Sequence, residues 1–528
     1  MRDFQLPGRS AVRTTGAMAA TSHPLSTEAA LNMLRQGGNA VDAAISASAV
    51  QAVVEPQSTG IGGDCFVLYA KEGSDNVLAL NGSGRAPLAA SVEAFRAMGL
   101  TEVPRLGPHS VTIPGAIDAW DRLSRDHGRK PLAECLQAAI HYAEAGYVVH
   151  DRVAVDWADT ADVLAADPHS AAIFLPEGRP LRAGDLHCQP ALAATLRRVA
   201  ELGRDGFYEG PVAKAMVSRL RELGGVHVLA DFAATRCDWV QPIAIDYQGY
   251  RVHQMPPNNQ GLTALVMLNT LARRDLGSLD PHGAQRYHLE VEAARLAYRE
   301  RNSRLAEMSR DNPVISALLS PALADRLDAE IDPQRAMTHL PPVELAMSDT
   351  VYISVVDEDR NAISFINSTY WAFGSGITCP ETGVVLQNRG SSFRMDPTHP
   401  NALAPGKRPM HTIMPGMVTR NGQVVMPFGV MGGDYQPMGH AHLLTNILDF
   451  GMDVQAALDS PRVFHEDGQV KVERGVPEAT RAGLRALGHD VAETPEPFGG
   501  GQAIWIDWEK GTLTGGSDPR KDGMAAGY

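Results

Sequence analysis

"SDTVYISVVDEDRNAISFINSTYWAFGSG", residues 348–376, is the stretch on which the reading of the fold turns. Thr350 to Val356 is β-branched and aromatic, "DEDRN" is a polar turn, and Ala362 to Tyr370 alternates again, so the segment predicts a β-hairpin. Thr350 stands at the first position of its first strand. Two readings of that threonine stay open: a residue suited to a strand, or a nucleophile held at an element end.

The sequence changes character at this point. Upstream, 308–349 carries several prolines and little periodicity, which predicts a flexible tail or linker. Before it the chain reads mainly helical. One helix starts at Ser26 and stops at Gly37-Gly38, and a second is entered through Asn39. Others are expected at 115–127, 131–146, 190–203, 211–223 and 283–307. After Thr350, strands are expected at 350–357, 362–370, 382–388, 412–419, 423–430, 470–473 and 502–508, with helices near 436–450 and 453–459. The division is therefore 1–349, mostly helical with some strands, and 350–528, rich in strands.

The composition excludes several classes. With 528 residues, 44% apolar, the chain can bury a large core. A net charge of −14 and a pI near 5.7 argue against a nucleic-acid footprint. Cys65, Cys135, Cys188, Cys237 and Cys379 are scattered without a CxxC spacing, so reduced thiols are expected rather than a disulfide framework or zinc site. No run has the length of a membrane span, and the first residues lack the apolar core of a secretory signal. A soluble cytoplasmic protein is the expectation.

"TGIGGD" (59–64) and "GSGRAP" (82–87) match neither dinucleotide nor phosphate loops and read as structural turns. His440 with His442, and His141 with His150, lack the convergent partners of a metal site. No metal and no cofactor is expected. "PFGVMGGDYQPMGH" (427–440) places Gly432 and Gly433 between a strand and a helix start, where backbone N–H groups can stabilise an oxyanion. Were the Asp349–Thr350 bond cut, Thr350 would carry a free α-amine with a pKa near 7.7–8.0. One residue would then supply both nucleophile and base.

"DTVYISVVDEDRNAISF", "GVVLQNRGSSF", "NALAPGKRPMHTIMP", "VMGGDYQ", "SPRVFHEDG" and "GGSDPRKDGMAAGY" together resemble the γ-glutamyltransferase family of N-terminal-nucleophile hydrolases. "GGNAVDAA", "TIPGAIDAW", "GYRVHQMPPNNQG" and "HLEVEAARLAYRER" extend the resemblance over nearly the whole chain. It implies an α+β fold, a four-layer αββα sandwich. It also implies self-cleavage between Asp349 and Thr350, and large and small subunits that stay together as a heterodimer, with a dimer of heterodimers as a further expectation. Thr350 falls at the family's nucleophile, Ser368 at a hydroxyl residue supporting it, and Gly432 and Gly433 at its oxyanion hole.

The departures narrow the substrate. Where glutathione-cleaving relatives carry an arginine for the α-carboxylate, Ser83 stands here, with Arg85 two residues displaced. Tyr370 replaces an asparagine, Arg389 an amide, Ser392 the carboxylate that holds the α-ammonium, and His411-Thr412 a serine pair. The 393–407 loop is short, so no lid is expected. The counter-charge for an ammonium is gone and a guanidinium suited to a carboxylate has appeared. The expected substrate is a small anionic amide without an α-amino group, as in the oxamate-hydrolysing branch of purine catabolism. Arg389 would orient its carboxylate, with Arg85, Tyr370, Ser392, His411 and Thr412 as candidate partners. A γ-glutamyl hydrolase or transpeptidase, a glutaryl-type acylase, and an uncleaved binding relative are the alternatives.

Overall fold

Two seven-stranded sheets, antiparallel throughout, stack face to face. The computed structural model describes residues 8–338 and 350–528. One sheet runs Met524–Gly527, Met18–Thr21, Val351–Val356, Ala362–Ser368, Asp64–Ala70, Val77–Gly82, Asp238–Val240. The other runs Val12–Thr14, Thr512–Ser517, Gly501–Asp507, Gln423–Val430, Gly416–Arg420, Tyr250–Gln254, Ile243–Tyr247.

The alternation of the opening hairpin explains the stacking. Tyr352, Val356, Ala362 and Ile366 point between the sheets, among Met18, Phe66, Met417 and Ile504. Ile353, Val355, Ile363 and Phe365 point the other way, into a helical layer. Both faces are buried because a two-residue period puts half of each strand's apolar side chains on either side. Hydroxyls stitch the sheets: Tyr352 Oη lies 2.6 Å from Ser364 Oγ and 3.0 Å from Ser354 Oγ. The two serines donate across to the carbonyls of Phe428 and Pro427, 3.2 Å each.

One outer layer holds Ala40–Val54, a helix buried on every side, as its run of Ala, Ser and Val predicts. Asn39 and Asp42 close a capping box at its start. The other outer layer holds Gly261–Leu271, Ala284–Arg304 and Gln436–Leu448. The αββα order is thus helices, sheet, sheet, helices. Among the described residues, no helix is long and apolar enough to cross a membrane.

The expected flexible tail is corrected over its first part. Pro313–Leu318 and Pro321–Glu330 are helices. Their prolines sit in the first turn, behind the N-caps Asn312 and Ser320, where a missing N–H costs nothing. Ile315, Leu318, Leu323 and Leu327 are buried in the second helical layer, and Ala336 N–H bonds Leu487 O at 2.7 Å. The expectation for 339–349, Asp349 included, lies outside the described residues. The expected strand at 382–388 shrinks to Val384–Val385, because Leu386 and Gln387 bond instead to Ile377 and Gly62.

Gly429 marks a close approach of the sheets: a Cβ there would lie 2.3 Å from the Tyr352 ring. Gly429→Ala should destabilise the protein by about 1–3 kcal/mol through overpacking, read as a lowered urea midpoint. An unchanged midpoint would contradict this packing of the two sheets.

Candidate active site

Thr350 is buried at the mouth of the strand Val351–Val356, one position before Val351 pairs with Asn367. Continuing that register sets it opposite Ser368, and the two hydroxyl oxygens lie 3.2 Å apart. Ser368 Oγ also accepts the N–H of Tyr370 at 2.9 Å. Tyr370 takes a φ of +83°, unusual for a side chain of its size, and this turns its ring under Arg389. The Arg389 guanidinium carbon lies 3.8 Å from the ring centre. Strand register, one tight turn and one stack therefore connect nucleophile candidate to guanidinium.

Arg389 is fully buried. Its Nη1 donates to Thr412 Oγ1 at 2.8 Å, while Nε and Nη2 have no partner. Among the described residues no carboxylate pairs with it. A buried, unpaired charge costs several kcal/mol, and a desolvated cation–π contact offsets about 2 of these. Burial pulls the guanidinium down to about 10, still charged at neutral pH. Burial and nearby Asp434 push the Tyr370 phenol up to about 12, so the ring stays neutral.

His411 and Thr412 are held from behind. His411 Nε2 lies 2.9 Å from Asp64 Oδ2, and burial, with Arg389 adding to it, pushes the imidazole down to about 3. His411 is neutral, with Asp64 fixing Nε2 as the protonated nitrogen. Asp64 also accepts from Gly84 N at 2.9 Å, Gly115 N at 3.1 Å and Gln387 Nε2 at 2.8 Å. The sequence reading passed over Asp64 as the end of a structural turn. Its signal was a carboxylate closing a glycine-rich loop directly before a strand.

Gly432 and Gly433 occupy φ of +114° and +57° in the turn between Gln423–Val430 and Gln436–Leu448. A side chain at Gly432 would strike Gly499 Cα at 2.9 Å. Gln260, another residue the sequence reading did not single out, binds both walls: its Nε2 donates to Thr412 O at 2.7 Å and Gly433 O at 3.0 Å. Arg301 pairs with Asp434 and donates to Gln260 Oε1 at 2.7 Å.

Two candidates are engaged with other partners. Arg85 bonds Glu307 at 2.8 Å and Gly406 O at 3.0 Å, with 40% of its side chain exposed. Ser392 donates to the carbonyls of Met410 at 2.8 Å and Arg389 at 3.0 Å, so its hydroxyl braces the loop behind the guanidinium. Among the described residues one cluster has metal-ligand spacing, His288, Glu292 and His489. Its members already have partners: the imidazoles lie 2.7 Å apart, and Glu292 takes Arg295 at 2.9 Å and Met337 N–H at 2.8 Å.

A double-sheet αββα sandwich presenting a threonine at the head of a central strand defines a hydrolase of the N-terminal-nucleophile class. The chain belongs to the gamma-glutamyltranspeptidase family, whose model matches residues 26–528. The glutathione hydrolase-like YwrD proenzyme of Bacillus subtilis is 37% identical over 97% of this chain and 98% of its own. The oxamate amidohydrolase proenzyme of Klebsiella pneumoniae is 36% identical over 98% and 99%. The crystal structure of cephalosporin acylase from Bacillus halodurans superposes with a TM-score of 0.92 at 40% identity, covering 100% of this chain and 99% of that one.

The neutral buried imidazoles make stability pH-dependent. His411 and His440 are both pushed down to about 3, against an ordinary value near 6.5. The unfolded chain therefore takes up protons that the folded one refuses as pH drops below about 6.5. Each costs up to about 1.4 kcal/mol per pH unit between those values. The urea midpoint should fall steeply from pH 7 to 5; equal midpoints would show that these imidazoles charge inside the fold.

Proposed function

We propose that the chain cuts itself between Asp349 and Thr350, and that the new N-terminus hydrolyses a small amide bearing a carboxylate, with oxamate as representative substrate. The observation that carries this reading is Arg389: a buried guanidinium with two unpaired nitrogens, stacked on Tyr370 and fixed by Thr412. Its two free N–H groups match the two oxygens of a carboxylate. The 36% identity to an oxamate amidohydrolase proenzyme supports the same reading.

The Thr350 amine takes the proton of its own hydroxyl, and Oγ1 attacks the amide carbon. Ser368, 3.2 Å away, orients that hydroxyl. The N–H groups of Gly432 and Gly433 receive the oxyanion, on a turn braced through Gln260 and Asp434. The C–N bond breaks, the amine returns the proton, and ammonia leaves. Water then attacks the Thr350 ester by the reverse proton path and releases the diacid.

A γ-glutamyl substrate is the second reading, favoured by 37% identity to a glutathione hydrolase-like proenzyme. It must bring an ammonium close to Arg389 at a loop where Ser392 offers no charge and is engaged with two carbonyls. Like charges in a desolvated site repel strongly. A reduced cytoplasm, a heterodimer of the two fragments, and a pairing of such heterodimers complete the proposal.

The active protein should show fragments of about 37 and 19 kDa on a denaturing gel, the smaller beginning at Thr350, in proportion to their shares of the 528 residues and 56.6 kDa. Thr350→Ala should leave a single band of 56.6 kDa. An active, uncut wild-type chain would dispose of the mechanism. Arg389→Gln should still self-cleave but lose about 100-fold in kcat/KM for oxamate, as two charge-assisted bonds of about 1.5 kcal/mol each imply. Turnover of γ-glutamyl-p-nitroanilide with no ammonia from oxamate would transfer the assignment to the second reading.

A further inference from the structure

We infer that Arg105 is a second anion-binding group at the rim of this site, there to hold a carboxylate on the amine side of the scissile amide. The inference rests on the substrate reading above and extends it from oxamate to N-acylated amino acids with a short anionic acyl group.

Arg389 stacks on Tyr370, and the next residue carries a second stack. The Arg105 guanidinium carbon lies 3.7 Å from the centre of the Trp371 ring, and the Tyr370 and Trp371 rings are 5.9 Å apart. Asn388, the neighbour of Arg389, ties the pair together. Its Oδ1 accepts the Trp371 N–H at 3.2 Å, and its Nδ2 donates to Arg105 O at 2.9 Å. Gly107 N–H bonds Ser375 O at 3.0 Å, and Ser110 Oγ bonds Gly107 O at 2.9 Å, so the 105–110 loop is fastened at several points. Among the described residues no carboxylate forms an ion pair with Arg105.

Stacking fixes the plane of a guanidinium and leaves its in-plane N–H groups free. Such a group loses little entropy on taking a carboxylate. Partial burial also lowers its proton affinity, so it is partly stripped of water before a ligand arrives.

The direction follows from burial. Arg389 is fully buried and Arg105 is exposed. The acyl carboxylate must therefore enter first, while the departing amine lies toward solvent, where Arg105 stands. For N-oxalylglycine the balance is simple. Thr350 Oγ1 bonds the carbonyl carbon, the C–N bond breaks, glycine leaves with the proton held by the Thr350 amine, and water frees oxalate.

The test compares kcat/KM for oxamate, N-oxalylglycine and the uncharged N-ethyl oxamate in wild type, Arg105→Gln and Arg105→Lys. Arg105→Gln should lower the N-oxalylglycine to N-ethyl oxamate ratio at least tenfold, mainly through KM, and Arg105→Lys should restore part of it. In wild type, raising salt should weaken N-oxalylglycine more than N-ethyl oxamate, which needs no variant to fold. A ratio indifferent to Arg105→Gln and to salt, with oxamate still hydrolysed, overturns this inference alone. A wild type that splits at Thr350 but hydrolyses none of the three overturns the substrate reading and this inference with it.

Discussion

The antiparallel register of Val351–Val356 with Ala362–Ser368 is the constraint on which the site depends. It brings Thr350 beside Ser368, and through the Tyr370 turn it also sets where the Arg389 stack can form. A slip of one residue would reverse every side chain of the strand. Tyr352 would leave the inter-sheet hydroxyl cluster and Ile353 would enter it, so an apolar group would face Ser354, Ser364 and their carbonyl acceptors. Burial on both faces thus penalises any register except the one that places Thr350 at the site.

The same burial sorts the charges. Desolvation depresses both Arg389 and His411, but from different starting points. His411 begins near 6.5 and falls to about 3, whereas Arg389 begins near 12.5 and falls only to about 10. Only the histidine crosses neutrality. The interior around Tyr370 therefore keeps a fixed guanidinium and a neutral imidazole across the physiological range. Asp64, the nearby carboxylate that could have paired with Arg389, is committed to Gly84, Gly115, Gln387 and His411. An anion arriving in the site thus meets a positive charge that the scaffold has left partly unpaired.

The hairpin at 350–370 was legible from its alternation, the helix starting at Asn39 from its cap and the Gly37-Gly38 stop before it, and the long helix Ala284–Arg304 from recurring apolar residues. The helices Pro313–Leu318 and Pro321–Glu330 were not. Their prolines read as breakers, and the asparagine and serine before them, which make them starters, are short signals. Thr350, Ser368, Tyr370, Arg389 and Thr412, picked from sequence, do form one connected set. Arg85 was misplaced because closeness in a motif says nothing about which way a long side chain turns once Glu307 is within reach. Asp64 ended a loop that reads as a plain turn, and its partners, like those of Gln260, lie far along the chain, so the local pattern gave no weight to either.

The interleaving of the two parts gives a physical reason for a cut before Thr350 to leave one molecule. In the sheet that carries Thr350, Val351–Val356 and Ala362–Ser368 lie between Met18–Thr21 and Asp64–Ala70, so residues after the cut fill the space between two strands that precede it. In the other sheet, Gly416–Arg420 pairs with Tyr250–Gln254. Separation would break five strand pairings, since Met18–Thr21 also pairs with Met524–Gly527 and Val12–Thr14 with Thr512–Ser517, and would expose their backbone N–H and C=O groups together with the inter-sheet core. It would also strip Gly433 of Gln260, Asp434 of Arg301 and His411 of Asp64. The groups that the proposed chemistry at Thr350 would use are therefore held in place only while both parts remain folded on each other, which would make association a condition of that activity rather than a consequence of it.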